Sequence, residues 1–76
     1  MKLSKLAYMI DNYTCASNIS VMLNNKVIGI HDREDFYITV TSELENVRVS
    51  NHFLSYDEDT YIITLDIDSF KSVFKI

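Results

Sequence analysis

The chain has no proline, no tryptophan, one glycine and one cysteine among its 76 residues. Each scarcity excludes some chemistry. A phosphate-cradling loop needs several glycines so that backbone N–H groups can approach the phosphates. With Gly29 alone, neither G-x-G-x-x-G nor G-x-x-x-x-G-K-[ST] can be written here. A single cysteine, Cys15, allows no intrachain disulfide and no cysteine-based zinc site, and it suits a reducing compartment. No basic residue lies close to Cys15 in sequence to lower its pKa, so it reads as a passive thiol.

Long hydrophobic runs are also missing. Lys2 and Lys5 resemble the positive start of a signal peptide, but the apolar run at residues 6–10 is short and stops at Asp11 and Asn12. Nothing approaches the 18 or so apolar residues of a membrane span, so no membrane partner is expected and a cytoplasmic location is. The two histidines, His31 and His52, are too far apart for a helical metal-binding pair. His31 sits beside Asp32 and Glu34, but no nucleophile or oxyanion site accompanies it, so both histidines read as structural. The acids lack the alternating spacing and glycine of a calcium loop. The sequence therefore predicts no catalytic residue, no metal, no cofactor and no enzyme.

What remains is 47% hydrophobic and 24% charged, with a formal net charge of −4, the composition of one small globular domain over residues 1–76. Leu3, Leu6, Ile10 and Tyr13 recur at helical spacing and predict a helix over 4–13, with Ser4 as its cap and Leu3 and Tyr8 as a hydrophobic staple. Residues 14–18 read as a loop. The period then changes to two. A two-residue turn at Asn24-Asn25 would set Leu23 opposite Lys26, Val21 opposite Ile28 and Ile19 opposite Ile30, giving one apolar face. Phe36, Ile38 and Val40 alternate with Tyr37, Thr39 and Thr41 and predict a third strand, which a turn at 43–46 would bring back with Val40 against Val49. A loop at 57–60 would pair Tyr56 with Tyr61 and Leu54 with Ile63. Val47 and Val49 are odd-numbered whereas Leu54 and Tyr56 are even, so a bulge near residues 50–52 is needed to bring both sets inward. Phe70, Val73 and Phe74 fit a short C-terminal helix capped by Asp68, although Phe70, Phe74 and Ile76 also fit a strand; the helix is the expectation adopted. The predicted fold is α+β: one N-terminal amphipathic helix on a mostly antiparallel sheet of about five strands in meander order.

Charge is unevenly spread. Residues 32–70 hold ten acids against Arg33 and Arg48, a net of −8, while the flanking segments are each +2. In a meander, the 32–35 and 57–60 loops fall at one end of the sheet and Glu43 and Glu45 at the other. One end then gathers Asp32, Glu34, Asp35, Asp57, Glu58 and Asp59. Such a surface can dock on a basic groove, or it can simply keep a small apolar domain soluble. Tyr37, Tyr56 and Tyr61, predicted on strands, offer a weaker, aromatic binding surface. Met22, Val27, Tyr37, Phe53 and Ile62 would leave an apolar patch opposite the helix unless the tail with Phe70 and Phe74 covers it. A central charge of −8 repels phosphate, so no direct nucleic-acid binding is expected.

Phe, Tyr, Met, Ile, Asn and Lys total 32 residues, whereas Gly, Ala, Arg and Pro total five, the bias of an AT-rich coding sequence. In size, charge and bias the whole chain resembles small acidic proteins of phages and mobile elements in low-GC bacteria, anti-CRISPR inhibitors among them. That resemblance implies a non-enzymatic inhibitor or adaptor presenting acids to a nucleic-acid-handling protein, such as the DNA-binding cleft of a CRISPR nuclease. The alternative is a self-associating structural or regulatory module, a homodimer held by an apolar sheet face or an edge strand.

Overall fold

A computed structural model describes residues 1–13, 16–40 and 44–76. Its elements are α1 (Leu3–Tyr13), β1 (Asn18–Leu23), β2 (Lys26–Asp32), α2 (Arg33–Thr39), β3 (Val49–Ser55), β4 (Thr60–Leu65) and α3 (Ile67–Phe74). The fold is α+β, as expected, but the sheet has four strands in the order β2-β1-β4-β3 and is mixed. Two antiparallel hairpins, β1–β2 and β3–β4, meet through a parallel pairing of β1 with β4. The meander of five strands is thereby corrected.

The missing strand is α2. Residues 36–41 alternate like a strand, yet Asp32 ends β2 in an extended conformation and its side chain accepts a hydrogen bond from the Asp35 N–H at 2.8 Å, capping a helix. Glu34 and Asp35 lie in the first turn, where the helix dipole favours negative charge. Phe36 and Val40, one helical turn apart, are both buried. A cap, two acids and an i,i+4 apolar pair outweigh β-branched alternation over so short a run. Val40 closes the helix instead of facing Val49. Of the predicted turn at 43–46, Glu43 lies outside the described residues; the remainder does turn, with the Val47 N–H bonded to the Leu44 carbonyl. Cys15 also lies outside the described residues.

α1 starts one residue before its predicted range. Leu3 is inside the helix and fully buried, its N–H bonded to the Val47 carbonyl at 2.8 Å, while Tyr8 is exposed, so the proposed staple does not form. α3 is the predicted C-terminal helix, but Asp66 caps it rather than Asp68, accepting from the Ser69 N–H at 2.9 Å.

Both hairpins depart from the simplest register, the first by one residue and the second by two. Asn24 and Asn25 form the expected turn, with φ of 52° and 66°, and Leu23 faces Lys26. Beyond it, Met22 pairs with Val27 and Val21 with Gly29, leaving Ile28 as an extra residue in a bulge. A one-residue slip exchanges the faces of everything after it. Gly29 and His31 therefore face the helices, and Ile30, expected inward, faces out and is 69% exposed. The ring of His31 lies over Gly29: a Cβ at that position would sit 2.6 Å from His31 Nε2, so a side chain there would displace the ring. In the second hairpin the turn occupies residues 56–59, so Leu54 meets Tyr61 and Phe53 meets Ile62. The bulge predicted near 50–52 is present, at Ser50 between Val49 and Asn51.

One apolar cluster holds these layers together. Leu3, Leu6, Ala7 and Ile10 from α1, Phe36 and Val40 from the α2 segment, and Leu44 and Val47 pack on Ile19, Val21, Ile63 and Leu65 of the two central strands, with Phe70 of α3 against them. All three helices thus lie on the same face of the sheet.

The helical assignment of α2 depends on its cap. Asp32→Ala is expected to cost about 1 kcal/mol, a fall of roughly 4–8 °C in Tm for a domain this size, whereas Asp32→Asn, which retains the acceptor, should stay within a few tenths of a kcal/mol of the parent. Thermal unfolding followed by circular dichroism reads both, and equal losses would remove the cap from the account.

Candidate functional site: an acidic end and an open sheet face

Asn18, the first residue of β1, pairs with both Asp32 at the end of β2 and Thr60 at the start of β4. The β3–β4 turn at 56–59 immediately precedes Thr60. Asp32, Asp57, Glu58 and Asp59 therefore share one end of the sheet, the arrangement that the meander also predicted but reached by a parallel pairing instead. Glu34 and Asp35 follow on the first turn of α2. Segments 32–35 and 57–59 together carry six carboxylates and one base, Arg33.

These acids are not equivalent. Asp32 is committed to capping α2. Asp35 accepts from or pairs with His31 Nδ1 at 3.0 Å, and Arg33 reaches inward to the Ile10 carbonyl at 3.3 Å. Asp59 adopts φ of 50°, its carbonyl accepts from the Asn18 N–H at 3.3 Å and its side chain accepts from the Ser17 hydroxyl. These bonds lock the turn against the start of β1. Glu34, Asp57 and Glu58 are exposed. The end thus combines carboxylates held by the fold with others exposed to solvent. Glu45 is exposed in the turn before β3, and Glu43 lies outside the described residues.

The three tyrosines do not form one surface. Tyr37 is on α2, not a strand, and is half exposed beside Ile38. Tyr56 is in the β3–β4 turn at 86% exposure, next to the acids. Tyr61 is on β4 as predicted, but faces the helices and packs against the core cluster. Its hydroxyl lies 2.7 Å from His52 Nδ1 and the two rings stack at 5.9 Å, a pair absent from the sequence reading. Burial pushes the Tyr61 hydroxyl above tyrosine's ordinary value of 10.0. Both histidines are half-buried and hydrogen-bonded within the fold.

The sheet face opposite the helices is open. Met22, Val27, Phe53 and Ile62 lie on it, as expected, and the bulge at Ile28 adds Ile30. Tyr37 is excluded by its place on α2. The tail does not cover this face, because Phe70 packs on the helical side. Ser20, Asn51 and Thr64 fill the positions between these apolar side chains. The isolated Gly29 within an apolar run was the signal that could have located the bulge, since strand glycines commonly mark one.

Among the described residues, no three His, Cys, Asp or Glu side chains converge as metal ligands, and no helix is long and apolar enough to cross a membrane. No protein-family profile, curated protein or solved structure matches the chain.

The raised pKa of Tyr61 carries a pH dependence of definite sign. A phenol whose pKa is raised by folding keeps its proton longer in the folded chain than in the unfolded one. Its contribution is complete below about pH 10 and is lost as pH rises through the folded-state value. Tyr61→Phe is expected to cost about 1 kcal/mol near neutrality and to flatten the alkaline fall in stability. Urea unfolding at pH 7, 9 and 11 measures both; an unchanged alkaline slope would rule Tyr61 out as its source.

Proposed function

We propose that this chain is a non-enzymatic inhibitor or adaptor of phage type, acting in the bacterial cytoplasm by docking its acidic end on the basic surface of a nucleic-acid-handling protein, such as a CRISPR nuclease. The observation that carries the reading is the juxtaposition of Asp32 with the Asp57-Glu58-Asp59 turn, produced by the pairing of Asn18 with both Asp32 and Thr60. Asp32 on β2 and the turn before β4 flank Asn18 of β1, two strand spacings or about 10 Å apart, which concentrates negative charge at one rim of the sheet. Such a rim attracts a groove lined with Lys and Arg, and the attraction accelerates encounter and falls with salt.

Rigidity supports the same reading. Asp59 is held by Ser17 and Asn18, and Asp32 by its cap, so two of the charges are ordered before any partner arrives. Tyr56 stands beside them with its ring exposed, a side chain suited to the centre of a protein interface. The net charge of −4 disfavours nucleic acid itself as the ligand.

The test is retention of a partner by the immobilised protein from a nuclease-treated lysate of a low-GC bacterium, washed at low and at high salt. Wild type is expected to hold a nucleic-acid-binding protein at low salt and release it at high salt. A variant with Asp32→Asn, Glu34→Gln, Asp35→Asn, Asp57→Asn, Glu58→Gln and Asp59→Asn should lose it while keeping its circular dichroism, because asparagine at position 32 still caps α2. Equal retention by the variant refutes docking through the acidic end.

A further inference from the structure

On the helical side of the sheet, a cavity of about 330 Å³ lies between β2, the end of α2 and α3. Ile28, Gly29 and His31 line it from β2, Thr39 from the last position of α2, and Phe70 and Phe74 from α3. The bulge at Ile28 shapes it. That extra residue turns Gly29 and His31 to the helical side, and Gly29, without a side chain, gives the imidazole room to lie against the strand. We propose that this cavity binds a small neutral molecule of the alkylphenol class, its hydroxyl donating to His31 Nε2.

The histidine selects the ligand's polar group. Its Nδ1 lies 3.0 Å from the Asp35 carboxylate, which as an anion only accepts. The proton of the neutral ring is therefore fixed on Nδ1, and Nε2 is left as an acceptor. Nε2 has no hydrogen-bond partner among the described residues, and no unpartnered side-chain nitrogen is sealed from solvent. It is thus an acceptor open on an apolar cavity, and a ligand satisfies it by bringing a donor. The Asp35 carboxylate beside the ring and the net charge of −4 disfavour an anion. An ammonium would give up its hydration in an apolar lining for a single acceptor. A hydroxyl meets the requirement without charge.

The lining selects the rest of the molecule. Phe70 and Phe74 stand with ring centroids 4.6 Å apart and planes tilted by 36°, and Phe74 is 41% exposed. They form an aromatic wall on which a further ring packs edge-to-face or offset. The volume lies at the lower end of small-molecule sites, about 300–1,000 Å³, which suits one ring with a short alkyl chain. The site does not rest on the acidic-end reading: of the six acids only Asp35 takes part, as a positioning residue for the imidazole.

Nitrogen- and carbon-resolved NMR titration of the purified protein with para-propylphenol tests the proposal, with para-propylanisole and para-propylbenzoate in parallel. The phenol is expected to bind with Kd of roughly 0.1–1 mM, the range for about ten non-hydrogen atoms, shifting Gly29, Phe70, Phe74 and the Nε2 resonance of His31. The anisole, which has the same body without the donor, should bind about tenfold more weakly. His31→Phe should bring the phenol down to the anisole's affinity and leave the anisole unchanged. Ile28→Trp should fill the cavity and weaken both by tenfold or more, and serves if His31→Phe fails to fold. Asp35→Asn, whose amide donates to Nδ1 and sends the ring proton to Nε2, should narrow the phenol-to-anisole ratio. No shift at these residues in about 5 mM phenol, or shifts at Phe53 and Ile62 of the open face instead, overturns the cavity as the site. Equal affinity for phenol and anisole, or tighter binding of the benzoate, overturns His31 Nε2 as the acceptor.

Discussion

The parallel pairing of β1 with β4 is the constraint on which the rest of the structure depends. Ile19 and Val21 of β1 beside Ile63 and Leu65 of β4 create the four-residue apolar floor on which the helices pack. Without that pairing there are two separate two-stranded hairpins, each marginal in water. With it there is one sheet, one core and a defined pair of ends. The pairing is non-local, joining residues some forty positions apart, and α2 is the connection that makes it possible. A parallel neighbour cannot be reached by a tight turn and needs a crossover, which α2, the segment after it and β3 supply. The cap at Asp32 is therefore a topological device as well as a local one.

The same pairing assembles both candidate surfaces. It brings the end of β2 and the β3–β4 turn to one rim, gathering carboxylates from segments some 25 residues apart. It also lines up the outward residues of all four strands, so that Ile30, Ile62 and Phe53 form a row across the sheet. A domain of this size buries a modest fraction of its unfolded surface. The acids at one end of the sheet oppose unselective aggregation there through like-charge repulsion.

Local features of the fold were legible where local physics dominates. The periodicity of Leu3, Leu6 and Ile10, the Asn24-Asn25 turn with its positive φ values, the parity conflict that demanded a bulge at Ser50 and the C-terminal helix all follow from residues within one or two turns of each other. The failures share a cause. Residues 36–41 alternate like a strand, and only the packing of Phe36 and Val40 against α1 and the central strands decides for the helix that Asp32 caps. Ile28 and Ile30 looked inward by register until Gly29, pressed under the ring of His31, allowed a bulge that exchanged their faces.

The candidate surfaces divide in the same way. The sequence by itself determined which residues were available: an excess of carboxylates in two short segments, one glycine, no proline, and apolar residues in numbers too large for one small core. Only the tertiary structure decided which of them meet. Segments 32–35 and 57–59 share a rim in the observed topology as in the meander, since Asn18 pairs with both Asp32 and Thr60. The open face was not decided in advance, since covering it with the tail required knowing on which side of the sheet Phe70 packs. That choice belongs to the relative burial of two faces, a property of the assembled sheet that no stretch of sequence contains.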